Sequence, residues 1–229
     1  MNTFFTYAFI IGSAQGFLLA FFLFRKKENK IANRILAVTM IIFSMDLFLN
    51  SLAVTGEIKK APYLIGLMQT FPYLYGPSLY LYVVFITRGI KNFNKNYLLH
   101  FLPFIFVQIY AFFFFYFESE SYQLNLVYIE NQLPWHVLLV SYLTPIYGAL
   151  YLGFSIYEVY KFNKELKGTF SSIDRHNLSW INYLMIGSVI LWITAISLTL
   201  IQIFFGKEFK PELGSYLAIS IFIYSIAYK

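Results

Sequence analysis

Asp46 is the one acid set well inside an apolar stretch of this chain. A charged side chain at that depth in hydrocarbon costs about 3 kcal/mol or more unless it is paired, hydrated or protonated. Asn50 lies four residues further on, and this spacing puts both side chains on one side of a helix. Two uses fit the pair. One is a ligand contact or proton-linked switch, and the other is a structural hydrogen bond to a neighbouring helix. The next apolar stretch carries Gln69, Pro72, Tyr73, Tyr75, Gly76, Pro77, Ser78, Tyr80 and Tyr82. Each proline deletes a backbone hydrogen bond and kinks a helix. Gly76 removes a side chain where the kink is sharpest. A kinked, tyrosine-lined helix can wall a cavity, although shaping the packing is the commoner use of such kinks. Pro145 and Gly148 mark a second adaptable point. Ser188, Ala195, Thr199 and Gln202 recur at helical spacing on what reads as an inward face. The candidate ligand contacts are therefore Asp46, Asn50, Gln69, Tyr73 and Gln202. The candidate hinges are Pro72, Gly76, Pro77, Pro145 and Gly148.

Other chemistry is poorly served. There is no cysteine, hence no thiol nucleophile, disulfide or thiolate metal site. The histidines, His100, His136 and His176, show no zinc-ligand spacing, so no metal is expected. No Ser/His/Asp set, phosphate-cradling glycine loop or acid cluster for magnesium is evident, so the chain reads as non-enzymatic and without a cofactor. A retinal protein would need a lysine inside the last helix, and Lys229 is its only one.

These residues need elements to hold them, and the composition says which. The 229 residues are 59% hydrophobic and 12% charged, against about 25% charged in soluble domains; the mean hydropathy is +0.63. Lipid is the expected solvent. The apolar runs are continuous and about twice the length of a barrel strand, so the expectation is helices. Seven spans are read, at about 3–24, 31–54, 63–86, 97–117, 135–157, 178–205 and 213–228. The run FFFFYF at 112–117 reads as a lipid-facing aromatic girdle. Gly12 and Gly16 form a G-x-x-x-G step; internal packing is favoured over dimerisation, and a homodimer stays open. The N-terminus carries no basic segment before its apolar run, so the first stretch reads as a retained helix and not a signal peptide.

Orientation follows from positive charge. With the N-terminus outside, the inner loops hold Arg25, Lys26, Lys27, Lys30, Arg34, Arg88, Lys91, Lys95, Lys161, Lys164, Lys167, Arg175 and Lys229, leaving only Lys59, Lys60, Lys207 and Lys210 outside. Lysine and arginine bias in short loops sets topology. It places the C-terminus in the cytoplasm and accounts for the pI of about 9.3 without nucleic-acid binding by this segment. The whole of 1–229 reads as one membrane domain. The seventh helix meets the last residue with Lys229 as its only flanking charge, so the chain is expected to continue into a cytoplasmic output domain.

Four runs resemble one family. Gly76-Pro77-Ser78-Leu79-Tyr80-Leu81-Tyr82 resembles a GP-x-hydrophobic-Y-x-Y run. Asn96 to Pro103, containing LLHFLP, is similar to the lead into that family's fourth helix. Gln15-Gly16, followed by a leucine/phenylalanine run, a basic loop and Asn33-Arg34-Ile35-Leu36-Ala37, is similar to its opening. Asp174 to Trp180, DRHNLSW, resembles the start of its sixth helix. The family is the membrane-embedded AraC-type transcriptional regulators common in Bacteroidota. The resemblance implies a seven-helix sensor in the bacterial cytoplasmic membrane, followed by a paired helix-turn-helix domain that binds DNA. This chain contains no such domain, so DNA is an expected partner only through a part outside it. The remaining expected partners are the bilayer and an unidentified small-molecule or lipid ligand. Two alternatives are the input domain of a membrane histidine kinase and a small-molecule transporter or channel.

Overall fold

The computed structural model describes residues 2–128, 134–166, 174–205 and 211–228. Among these residues the regular structure is helical. It comprises α1 (Asn2–Arg25), α2 (Lys30–Thr55), α3 (Leu64–Thr70), α4 (Pro72–Thr87), α5 (Leu102–Ala111), α6 (Glu120–Tyr128), α7 (Trp135–Leu166), α8 (Asp174–Phe205) and α9 (Pro211–Tyr228). A 3-10 segment, Lys95–Phe101, leads into α5, and a π-turn, Phe112–Tyr116, extends it.

Five helical stretches are long and apolar enough to cross a membrane: Thr3–Arg25, Lys30–Thr55, Lys95–Tyr116, Trp135–Glu165 and Trp180–Ile201. The outside of the bundle is studded with Phe17, Phe21, Phe22, Phe106, Phe113, Ile190 and Ile193. Water does not tolerate an apolar surface of that extent, whereas hydrocarbon does.

The third expected span is not one helix. It is divided into α3, of 7 residues, and α4, of 16. Pro72 has no N–H to give back to the preceding turn, so the hydrogen-bond ladder is interrupted there and Pro72 takes the first position of α4. Pro77, by contrast, sits inside α4, and Pro145 sits inside the unbroken α7. The last expected span lies in α9, of 18 residues. Several helices outrun the apolar segments that announced them. α7 continues to Leu166, so Glu158 belongs to a helix and not to a loop. The segment between the spans read at 97–117 and 135–157 contains α6, which Ser119 starts by accepting the Tyr122 N–H at 3.3 Å.

The helices close into a ring. α1 packs on α2, α2 on α4, α4 on α7, α7 on α8, α8 on α9, and α9 returns to α1, while α5 lies outside against α3 and α4. α2 also touches α9 across the ring and supplies much of the core through Leu36, Met40, Phe43 and Leu47, each at most 1% exposed. Their spacing of three and four residues is that of one helix face.

Small residues and single hydrogen bonds stitch the seams, as is usual where lipid supplies no hydrophobic drive between helices. Gly12 abuts Ser220 of α9 and Gly16 abuts Ser44 of α2, so the G-x-x-x-G step packs inside the bundle. Ser13 donates to the Ser44 carbonyl at 2.7 Å, and Ser220 donates to that of Ala8 at 3.1 Å. Tyr183 of α8 donates to the Ser225 carbonyl of α9 at 3.1 Å. On the α4–α7 seam Gly76 lets the backbones approach until an added Cβ would sit 2.8 Å from the Tyr151 Cβ. On the α7–α8 seam Gly148 lies beneath the Trp192 ring.

Candidate functional site

Asp46 and Asn50 do lie together. They are brought to the α2–α4 seam, where a third residue joins them. The Tyr75 hydroxyl donates to one Asp46 carboxylate oxygen. The Asn50 amide donates to the other at 3.0 Å and to the Asp46 backbone carbonyl at 2.9 Å. Asp46 is fully buried, with Asn50 6% and Tyr75 8% exposed. The α-helical turn aligns the acid and the amide; the start of α4 at Pro72 carries Tyr75 opposite them. Both carboxylate oxygens thus have a donor, as a buried acid requires. The knot connects onward. The Phe43 ring stands edge-on to Tyr75 at 4.5 Å and to Phe222 of α9 at 6.3 Å, and Phe222 covers Gly187 of α8.

The other candidates lie elsewhere. Tyr73 donates to the Val140 carbonyl of α7 at 2.7 Å, and its ring faces Tyr147 at 5.5 Å. Gln69 lines a separate cavity of about 50 Å³ between α3, α5, α6 and α7, with Gly66, Ala111, Phe114, Phe115 and Ser141. The Gln202 side chain lies outside the described residues, as do Glu130, Lys167, Lys207, Glu208, Lys210 and Lys229. Ser188 and Thr199, on the face it was read with, donate to the Leu184 and Ala195 carbonyls of their own helix. The four candidates whose side chains are described therefore do not form one pocket. Of the hinge candidates, Gly76 and Gly148 sit at points of close helix approach, and Pro72 marks the break between α3 and α4. Among the described residues, no group of three or more His, Asp or Glu could hold a metal ion.

Sequence reasoning missed two sets of residues. The first is a part-buried ion pair. Arg88, which caps α4, donates from one guanidinium edge to both carboxylate oxygens of Glu158 of α7, with Nε 3.0 Å from Oε2 and a second hydrogen bond from Nη2 to Oε1. The Glu158 side chain is 9% exposed and that of Arg88 49%. Hydrogen bonding to Glu158 holds the Arg88 guanidinium above its already high ordinary value, so its charge is fixed at any working pH. The signal was a lone arginine at one helix end and a lone acid at another, with no spacing to relate them.

The second set is an aromatic cluster. The Tyr147 hydroxyl donates to the His100 carbonyl at 2.9 Å, and the Tyr151 hydroxyl lies 3.0 Å from the His100 Nδ1. Tyr80 packs on both His100 and Tyr151. Nearby, Trp180 of α8 donates to the Tyr82 hydroxyl at 2.7 Å. Three of the runs singled out in the sequence, those containing Gly76 to Tyr82, His100 and Trp180, thus meet around one half of α4.

No protein-family model, curated protein or solved structure matches the chain.

Proposed function

We propose that this chain is the membrane-embedded sensory domain of a one-component transcription regulator. On this reading it crosses the bacterial cytoplasmic membrane seven times, counting α3 with α4 as one span and α9 as the last, with its N-terminus outside. It passes a ligand or envelope signal to a cytoplasmic DNA-binding domain carried elsewhere in the protein. The likeness of four sequence runs to membrane-embedded AraC-type regulators and the positive charge of alternate loops both support it. The observation that carries it is the Asp46–Tyr75 knot and its path through Phe43 to Phe222. A buried polar junction between α2 and α4 thereby lies two ring contacts, Tyr75 to Phe43 and Phe43 to Phe222, from α9, the helix that leads to the C-terminus.

A ligand shifts such a bundle only by its difference in affinity for two arrangements. A seam held by one carboxylate has two natural arrangements, with the Tyr75 hydrogen bond made or broken. Moving it from 1:99 to 99:1 requires about 5.5 kcal/mol of differential binding.

The test is to read the gene beyond the codon for Lys229. A basic segment with two helix-turn-helix patterns supports the regulator. A kinase there keeps the sensor and changes its output. A stop codon at that point overturns both, and flux into liposomes then tests the transporter reading.

A further inference from the structure

The cavity beside Gln69 differs from the Asp46 knot in holding polar side chains that make no hydrogen bond among the described residues. Its inner wall is Gly66, Ala111 and Phe115, all buried, and its mouth holds Gln69, Phe114 and Ser141, all exposed. Gln69 and Ser141 have no hydrogen-bond partner among the described residues. Thr70, deeper in, is already engaged, accepting from Gln108 at 3.1 Å. Gln69 stands five residues into α3 and Ser141 six residues into α7, so each lies about 8–9 Å along its helix from the end at 1.5 Å per residue. If those helices start at the membrane surface, the two side chains open below it, toward hydrocarbon. An amide or hydroxyl left unbonded there carries a real desolvation cost.

Size and charge narrow the occupant. About 50 Å³ of cavity takes a few heavy atoms, given that a single water needs roughly 10–15 Å³ on this measure. That suits the end of one chain and is too little for two. No Asp, Glu, Lys or Arg lines it, so there is nothing to neutralise a charged head group. One wall is the π-turn Phe112–Tyr116, and such turns are frequent at functional sites.

We infer that this cavity binds a neutral single-chain amphiphile. Its apolar end would sit against Gly66, Ala111 and Phe115, and its hydroxyl or carbonyl at the mouth would meet Gln69 and Ser141. The inference rests on the membrane-sensor reading and names the chemical class of its ligand.

The test uses the whole chain in phosphatidylcholine nanodiscs, photolabelled with a diazirine-bearing octanol and mapped by peptide mass spectrometry. Adducts are expected on residues 66–70, 107–115 and 137–141, and excess octanol should suppress them. Octanoate at pH 8, octylamine and a diacylglycerol should not. Gln69→Leu and Ser141→Ala place apolar groups toward lipid and should leave folding intact, yet each should cut the saturable labelling about three- to tenfold, the effect of one lost hydrogen bond. Labelling that does not saturate, that spreads over lipid-facing residues such as Phe21 and Ile190, or that survives both substitutions overturns the inference. So does equal competition by the charged or two-chain probes. If saturable binding appears here while the full-length protein's reporter ignores octanol, the cavity stands and the sensor reading falls. A reporter response without labelling at this site has the opposite meaning.

Discussion

Tyr75 of α4 donates its hydroxyl to the carboxylate of Asp46 on α2, and both residues are shut away from the surface. This is the hydrogen bond that joins α2 to α4, because Asn50, the other donor to that carboxylate, sits on the same helix as Asp46. Breaking it leaves a buried acceptor with no substitute.

Tyr75→Phe keeps the ring against Phe43 and removes only the hydroxyl. It is expected to lower stability by about 1–3 kcal/mol, read as a fall in thermal midpoint in detergent. Asp46→Leu should also destabilise, and the double variant should lose less than the two single losses added, with a coupling of about 0.5–3 kcal/mol. Strictly additive losses would mean that the two side chains do not interact. Under the proposed function, Asp46→Asn should alter the signal response of the full-length protein; an unchanged response removes Asp46 from the signalling path.

The Arg88–Glu158 pair predicts an asymmetry. Arg88→Ala strands the carboxylate of Glu158, which is the buried partner, whereas Glu158→Gln leaves a half-exposed guanidinium that water can reach. The first should cost about 1–3 kcal/mol and the second less. Both fall below the 3–5 kcal/mol typical of breaking a fully buried pair, because the exposed side of this one is screened. Since Glu158 raises the Arg88 pKa above a value already beyond working range, the arginine's contribution is present at all lower pH. It is lost only as pH rises through that folded-state value, so its titration adds no slope between pH 5 and 9. Equal losses for the two variants would contradict the burial difference.

Spacing along the chain revealed what lies on one helix and little of what lies between helices. Asp46 with Asn50 was legible because i and i+4 share a face. Tyr75 was visible as one tyrosine among several, but nothing in a one-dimensional pattern says which tyrosine meets the acid. Pro72 and Pro77 read alike, yet Pro72 opens α4 while Pro77 rides inside it. The π-turn in the phenylalanine run had no signal, since a uniformly apolar sequence has no phase for an inserted residue to break. Glu158 was misplaced because the apolar segment ended at Tyr157 and the helix did not, and hydropathy reports the solvent around a helix, not its length. α6 did have a signal that went unused: Ser119 in front of Glu120 is a helix start.

Two glycines should respond in opposite directions. Gly76→Ala would force a Cβ to within 2.8 Å of the Tyr151 Cβ. That atom is fixed by the backbone of α7 and cannot swing aside, so α4 and α7 must separate, at about 1–3 kcal/mol. An added Cβ at Gly153 meets nothing within 4 Å, so Gly153→Ala should be neutral or stabilise by up to about 1 kcal/mol through helix propensity. Thermal midpoints of the two variants decide it, and a stabilising Gly76→Ala would show that the α4–α7 seam is looser than described.

The absence of cysteine makes the proposed orientation directly measurable. Glu28 lies in the short turn between α1 and α2, beside Lys26, Lys27 and Lys30, and Ser121 lies in the first turn of α6. Both are exposed, so a thiol at either position is reachable. If positive charge marks the cytoplasmic face, a membrane-impermeant maleimide should label Ser121→Cys in intact spheroplasts. It should reach Glu28→Cys only after the membrane is permeabilised. The reverse pattern would turn the protein over and place its C-terminus outside, where no DNA-binding domain could act. Labelling of both thiols in intact spheroplasts would mean an even number of crossings between them, so that the segment from α2 to α5 does not span the membrane three times.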